Sequence, residues 1–350
     1  MLYLGQIRPH LRAIMPPTPK QDLRRALPGI LVSLAVIVIL VIIVDWPNVF
    51  KAFRSVDLRF LALHGLLYML SVATRAMGAR TLLEDRPTFR DSFMIMMQGY
   101  LLNNVLPFRL GELGRAYLLG RKTNTGTFFT IPAIMIERAY DLAFAALIVI
   151  GTLPFVFSGV DWARPVALTT LSLVSAGLFS LHLIARFRAP LRSWADKTAG
   201  RVKLVEKYIL PRIDSFLDGL TVLTSLKSFS ISLGWMALSW LFSLGNQYAL
   251  LRGFLPTAQP LASSFSLGIS SFGGAIPSMP SALGVYEGAV VVALGVLSIS
   301  SGIAFAFAIT HHMMHIIYSG IFGMIAFSKE GESLMGMYER LTHKKTSEEL

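Results

Sequence analysis

Cysteine is absent from all 350 residues, so neither disulfides, nor thiol nucleophiles, nor a Cys-ligated metal can operate here. Charge is also scarce: Asp, Glu, Lys and Arg make up only 15% of the chain, where a soluble domain carries roughly 25%. Missing too are a P-loop, a G-x-G-x-x-G fingerprint, a G-x-S-x-G elbow and any kinase signature. Apolar residues fill the space, at 54% of the chain with a mean hydropathy of +0.60. Windows of about 20 apolar residues are what an α-helix needs to cross roughly 30 Å of hydrocarbon, and residues 26 to 44 supply the clearest one. The composition is that of an integral membrane protein.

Acidic residues are outnumbered, 20 against 32 Lys and Arg, a net +12. In a soluble chain that excess raises the question of nucleic acid, but here the cations are distributed as in a membrane protein. They collect in the first 25 residues, in 80–90, in 186–229 and after Phe327, while the intervening loops hold few, such as Lys51, Arg54, Arg164 and Arg252. By the positive-inside rule both termini and the 186–229 segment are expected in the cytoplasm of a prokaryotic plasma membrane. The first span follows a basic arm as a signal peptide would, yet it is too long for an h-region and lacks a cleavage site, so an uncleaved helix is expected.

Further apolar windows fall at about 58–79, 92–106, 128–153, 164–185, 230–251, 260–277, 282–299 and 303–327. The window 92–106 is short and runs into Pro107, and "GGAIPSMPSALG" interrupts the pair 260–277 and 282–299. Gly/Pro breaks within a bilayer free backbone polar groups, which only protein or a water-filled cavity can satisfy. Two re-entrant hairpins are therefore expected, 92–121 from the cytoplasm and 260–299 from outside. Six full spans remain, and the sides agree with the charges.

This arrangement repeats internally. Helix, hairpin and helix over 58–153 are followed by helix, hairpin and helix over 230–327 in the opposite sense. Both hairpins share a skeleton, Pro107, Gly111 and Glu112 in one and Pro280, Gly284 and Glu287 in the other. Inverted repeats with broken helices are how transporters build a site near the bilayer midplane. The expected fold class is all-α and polytopic. Its parts are a basic arm (1–25), a membrane domain (26–328) and a tail (329–350). Within the domain, repeat one (58–185) and repeat two (230–327) flank the basic segment 186–229. That segment holds nine Lys or Arg interleaved with Trp194, Val202, Leu204, Tyr208, Leu210 and Phe216. It reads as an amphipathic helix on anionic inner-leaflet lipid, each cation contributing about 1 kcal/mol, or as a solvated linker.

Arg109, Glu112 and Arg115 recur every three residues, one face of a short helix, and the next helix brings Glu137, Arg138 and Asp141. A charge at the centre of a lipid-exposed helix costs roughly 2.5 to 3.5 kcal/mol, so these six are expected to face a polar chamber and pair with one another. Glu137 lies nine residues into a helix begun at Phe128, about 13 Å deep; pinning of the hairpin near the interface is the plainer reading. Asn104 can bind a head group or satisfy broken backbone. His311 and His315 are spaced i, i+4, but without H-E-x-x-H or a nearby carboxylate they read as packing residues or a proton relay, not a metal site. Arg75 is expected to snorkel to the interface. No cofactor or metal is expected.

At these residues the chain resembles a known family. "NNVLPFRLGELGRA" followed by "ERAYD", and later "PSMPSALGVYE", look like the motifs of the lysylphosphatidylglycerol synthase transmembrane-domain family, the flippase-like membrane half of the multiple peptide resistance factor. Asn104, Pro107, Arg109, Gly111, Glu112, Arg115, Glu137, Arg138 and Asp141 match the first motif, and Pro277, Pro280, Gly284 and Glu287 the second. Ser281 and Ala282 stand where the family usually has two glycines, and Tyr286 where arginine is common. The resemblance implies movement of a polar-headed phospholipid between leaflets, with Glu287 and the first-motif polar residues around the head group. With 23 residues after Phe327, the family's synthase domain is expected to be absent, and a separate lipid synthase is then a candidate partner. Two other readings stand beside it: an enzyme on a lipid-linked substrate, or a scaffold docking a synthase through 186–229.

Overall fold

The structure is a computed structural model that describes residues 31, 34–106, 110–157, 163–199, 209–273, 280–330 and 336–337. The arm 1–25, Pro107, Arg109, Pro277, Val202, Leu204, Tyr208 and most of the tail lie outside the described residues, as do the surroundings of the Trp194 side chain. Helices and their connections account for everything described: α1 (Leu34–Ile43), α2 (Trp46–Ser55), α3 (Leu58–Leu82), α4 (Phe89–Val105), α5 (Leu110–Thr123), α6 (Thr127–Val156), α7 (Ala163–Arg186) and α8 (Arg188–Ala199) in the first part. They are followed by α9 (Leu210–Gly219), α10 (Leu226–Phe254), α11 (Pro260–Gly273), α12 (Val285–Val296) and α13 (Ser301–Glu330).

Three of these, α3, α6 and α10, are long and apolar enough to cross a bilayer, by length and composition. A fourth crossing exists if α1 and α2 count as one, although they meet at 84°. The sequence reading had a loop at Lys51 and Arg54. The chain instead forms α2 there, because Asp45 accepts the Asn48 N–H as N-cap and Pro47 suits the first turn. Val49 and Ala52 are buried on one side of α2, and Lys51 and Arg54 are exposed on the other. Helix α13 matches α6 in length, 30 residues each, with three histidines lowering its hydropathy. Helices α4, α5, α11 and α12 have 17, 14, 14 and 12 residues. At 1.5 Å per residue each falls short of about 30 Å, which suits half-membrane hairpins.

At the centre α3 and α10 pack along most of their length. They run antiparallel: Gly253 meets Phe60, His64 Nδ1 lies 3.1 Å from the Asn246 carbonyl, Ser71 lies 2.8 Å from Ser243, and Gly78 meets Trp235. Small and hydroxylated residues let the two backbones approach and hydrogen-bond across the seam. Around this pair the contacts are swapped. Helix α4 packs on α13, and α11 packs on α6, while α4 with α5 and α11 with α12 each form a hairpin. Exchanging α3, α4, α5 and α6 for α10, α11, α12 and α13 maps these pairings onto themselves.

Two buried apolar clusters sit at opposite ends of this bundle. One joins Leu82, Leu102, Leu118, Ile136, Met236 and Phe327, and the other joins Leu250, Phe254, Val290, Leu294, Ala304 and Phe307. Between them, on α13, lie His311, His312, His315 and Ser319, and on α3 lie His64, Ser71 and Arg75. Apolar ends therefore hold a polar middle.

Among the described residues the basic segment forms α8, α9 and a 3-10 turn, Leu220–Thr224. Leu217, Leu220, Val222 and Leu223 join the first apolar cluster, and α9 seats on α6, with Gly219 against the Phe129 carbonyl. Arg188 and Arg192 pair with Asp218 and Asp214 at 3.2 and 2.9 Å. Residues 210–224 carry enough apolar surface to pack on protein along one side, while Ile213 stays exposed. A surface cleft of about 610 Å³ lies beside them, lined by Glu84, Arg86, Asp214 and Asp218 among others.

Each hairpin has its own means of turning. Helix α4 is N-capped by Thr88, whose hydroxyl accepts from Asp91 N at 3.1 Å, and it ends at Leu106 in extended conformation, as the residue before a proline must. A Cβ on Gly111 would stand 2.2 Å from the Gly99 carbonyl oxygen, so only glycine permits α4 and α5 to cross this closely. In the second hairpin Ser281, Ala282 and Gly284 all take left-handed conformations, with φ of 61°, 56° and 81°. Glycine adopts these freely, whereas Ala282 is strained there. Ala282→Gly should therefore raise stability, by about 1 kcal/mol once glycine's greater freedom in the unfolded chain is set against the relief. Thermal unfolding in detergent measures it, and a lowered midpoint would contradict the strain.

Candidate functional site

Charged residues from α3, α5 and α6 meet inside the bundle in two distinct arrangements. Asp141 is one turn beyond Glu137 on α6, and its carboxylate takes a bidentate pair of hydrogen bonds from Arg75 at 2.7 and 2.8 Å. Trp240 Nε1 of α10 donates to the same carboxylate at 3.1 Å, and Arg138 reaches it at 3.1 Å. Arg138 in turn lies 3.3 Å from Glu112 of α5. The result is an ionic chain, Arg75, Asp141, Arg138 and Glu112, that ties the first hairpin to the long helices. Arg75 does not snorkel as expected, because a buried carboxylate satisfies its planar fork bidentately.

The second arrangement is the Arg115 to Glu137 ion pair, which is sealed: the two side chains are 3% and 0% exposed. By contrast Arg138 and Glu112 remain 33% and 25% exposed. Two roles separate on this difference. The sealed pair locks α5 to α6, and the open pair presents a guanidinium and a carboxylate to whatever enters beside the hairpin. The six described charges balance, three of each sign, with Arg109 outside the described residues.

A second polar cluster is built where the hairpins approach each other. Glu287 caps its own helix, accepting the Gly284 N–H at 2.8 Å, and its other oxygen lies 2.6 Å from His312 Nδ1. His312 Nε2 lies 2.8 Å from Ser281 Oγ, which donates to Asn104 Oδ1 at 3.0 Å, and Asn104 Nδ2 donates to Ser319 at 2.8 Å. Asn104 thus joins the two hairpins. Glu287 has His312 as its partner. The left-handed Ser281 makes these bonds at a position where glycine would be easier, and Tyr286 hydrogen-bonds His311 Nδ1 at 2.9 Å.

The histidine pair read from sequence divides. His311 stands beside Tyr286 and edge-on to His64, and His315 lies between Tyr68 and Tyr100. No hydrogen bond joins His311 to His315 among the described residues. His312, overlooked in sequence because 311 and 315 share the helical spacing, is the one bonded to a carboxylate. Trp240 and Ser319 were also missed, since single polar atoms on apolar helices leave no pattern. Tyr100 links the clusters: its ring is 5.4 Å from that of His315, and it lies within electrostatic range of Arg75 and Arg138. His64 Nε2, Tyr68 Oη and Asn246 Oδ1 are buried without hydrogen-bond partners among the described residues. Such atoms in a hydrocarbon setting call for water or a polar ligand.

The sealed pair has a stability consequence. Removing one partner, as in Glu137→Gln, leaves a buried uncompensated charge and should cost about 3 kcal/mol or more. Replacing both, Arg115→Met with Glu137→Leu, should restore most of that, as read by unfolding of the purified protein in detergent.

Comparison with known proteins agrees with this architecture. Residues 29–323 match the family described as lysylphosphatidylglycerol synthase TM region. A UPF0104 membrane protein of Methanothermobacter thermautotrophicus is 24% identical over 340 residues, covering 89% of this chain and 95% of its own length. Another UPF0104 membrane protein, from Methanocaldococcus jannaschii, is 26% identical over 230 residues, 65% of this chain and 92% of its own. With the family match running through both hairpins and the helices that hold the ionic chain, this membrane protein belongs to the lysylphosphatidylglycerol synthase transmembrane-region family.

Proposed function

We propose that the chain moves a polar-headed phospholipid between bilayer leaflets, acting as a transporter rather than an enzyme. The observation that carries this reading is the open Arg138 and Glu112 pair, part-exposed within an apolar bundle while the neighbouring Arg115 and Glu137 pair is sealed. Burying an ion pair costs desolvation, so a sealed pair such as Arg115 and Glu137 is closed to a ligand. One left open at bilayer depth has desolvation to lose and only a polar ligand to gain. Arg138 offers planar donors to a phosphate, and Glu112 an acceptor to an ammonium or hydroxyl on the same head group. The acyl tails would stay in the bilayer while the head group enters beside the first hairpin.

In this reading the chain sits in a prokaryotic plasma membrane with both termini cytoplasmic, as its cation distribution suggests. The two swapped halves supply the moving parts, with the antiparallel α3 and α10 as the axis of rocking. An inside-negative potential favours outward movement of an anionic head group by about 2.3 kcal/mol per charge per 100 mV and opposes that of a cationic one. A scaffold for a lipid-modifying enzyme is the second reading, and the exposed helix α8, with Arg188 and Arg192 on it, is the surface it would use.

Reconstitution into liposomes decides between them. Fluorescent lipids with anionic, zwitterionic and cationic head groups are added, and leaflet exchange is followed by dithionite quenching. Glu112→Gln should slow exchange about 10- to 100-fold, the worth of a hydrogen bond to a charged group, with folded protein unchanged. Exchange that is absent for every head group, or unaltered in the variant, would remove the reading.

A further inference from the structure

Helix α2 lies at one end of the bundle, away from the ionic chain, and both of its flanks are tied to the ends of long helices. Asp45 N, just before its first turn, donates to Ser301 Oγ at 3.2 Å, where α13 begins. Asp57 N, just after its last turn, donates to the Gly253 carbonyl at 3.1 Å, where α10 ends. Val49 and Ala52 are buried beneath the helix. A Cβ on Gly302 would stand 2.6 Å from Asn48 Cβ, so α2 is pressed against the first turn of α13. It also turns 84° from α1. A helix tied across the ends of two bundle helices, and bent sharply from the one before it, runs across the bundle rather than along it. After two connecting residues the chain enters α3, which is long and apolar enough to cross the bilayer. The start of α3 therefore marks one membrane interface. Its far end, Leu82, is about 36 Å away at 1.5 Å per residue, in the apolar cluster that receives Leu217 and Leu220 of the basic segment. Hence α2 lies at the interface opposite to that segment.

The side chains of α2 sort by direction. At about 100° per residue, Trp46, Phe50 and Phe53 leave one flank beside the buried Val49 and Ala52, while Lys51 and Arg54 leave the side facing away from the bundle. All five are exposed, Phe50 to 63%. Trp46 and Phe53 also meet the bundle edge-on, with ring centroids 5.5 Å from Phe305 and 5.9 Å from Phe254. An aromatic flank beside a cationic one is the pattern of a helix at the boundary between acyl chains and head groups. A crossing through α2 would instead set Lys51 and Arg54 on hydrocarbon, where each charge is unfavourable. The cations continue past the helix, with Arg59 at the start of α3 and Arg252 over the Phe60 ring at 6.0 Å. Residues 45–60 and 250–262 hold these four cations and two acids, Asp45 and Asp57. Both acids are occupied as helix caps, accepting from the Asn48 and Arg59 N–H groups.

We propose that α2 is a binding surface for anionic phospholipid, lying in the head-group plane of the leaflet opposite to the basic segment. Phe50 and Phe53 enter the acyl boundary, and Lys51 and Arg54 meet the lipid phosphates. The excess of cations over acids at this end selects anionic head groups over zwitterionic ones. The surface uses neither Arg138 nor Glu112, so it stands or falls separately from lipid exchange.

The absence of cysteine allows a direct test. The full chain, carrying a nitroxide at Phe50→Cys or at Lys51→Cys, is placed in vesicles of phosphatidylcholine and phosphatidylglycerol. Collision of each label with oxygen, and with a nickel chelate present on both sides of the membrane, is then measured. The label at position 50 should favour oxygen and the label at position 51 the chelate. Both labels favouring oxygen would mean that α2 is sunk in hydrocarbon, and both favouring the chelate that it stands in water. A label at position 50 shielded from both reagents would mean that protein, such as a second copy of the chain, covers the helix. Each of these three results overturns the proposal. Lipid preference is read with a fluorophore at Phe50→Cys, quenched by phosphatidylglycerol or phosphatidylcholine spin-labelled on an acyl chain. The ratio of the two association constants should favour phosphatidylglycerol and fall about fivefold with Lys51→Gln, and again with Arg54→Gln, the worth of one cation near an anionic surface. Both side chains are exposed, so each variant should unfold at the parent's temperature. A parent ratio near one, or a ratio that neither substitution changes, would also overturn the proposal.

Discussion

Hydrocarbon offers no hydrogen bonds, and the rest of this structure follows from that constraint. Every backbone break and every ion placed between the apolar ends must be answered by another part of the chain. The hairpins are where the demand is greatest, since α4 ends at Val105 and α11 at Gly273. The answers come from distant residues. Asn104 at the end of α4 is held by Ser319 and Ser281, and the ionic chain that starts at Glu112 is completed by Arg138, Asp141 and Arg75. The hairpins are thus built as polar bridges between helices that apolar packing has already brought together.

Close approach is the second requirement, and it selects residue size. Gly111 against Gly99 and the serines between α3 and α10 bring backbones together where larger side chains would hold them apart. The second hairpin solves its turn differently. Ser281 and Ala282 occupy conformations that favour glycine, and the serine's hydroxyl supplies bonds that a glycine could not make. Strain concentrated at one short segment, with hydrogen bonds attached to it, is the physical form in which a functional position often declares itself.

Much of the architecture was legible in the sequence. Long apolar windows became α3, α6, α7, α10 and α13, because their length and hydropathy leave no other stable state in a bilayer. Breaks at Pro107 and around Pro280 marked the short helices, because the residue before a proline is driven out of helix. In the basic segment the residues that dock part of it on protein, Leu217, Leu220, Val222 and Leu223, are not legible in the sequence, because they are few and its charges dominate the composition. The loop at Lys51 was a helix, because one Asp cap and one proline outweighed the charges that follow.

The sequence by itself determined that this is an all-helical membrane protein, that its charges lie on broken hairpins and on the helix after the first of them, and that those charges must pair. Only the tertiary structure decided the pairing. Spacing placed Arg109, Glu112 and Arg115 on one face, but it could not tell that Arg115 would be sealed against Glu137 while Glu112 stays open beside Arg138. Nor could it find Arg75 on Asp141 or His312 on Glu287, 66 and 25 residues apart. Helical periodicity reports which way a side chain leaves its own axis. Which partner it meets depends on how the other helices cross, and that is fixed by packing over the whole bundle.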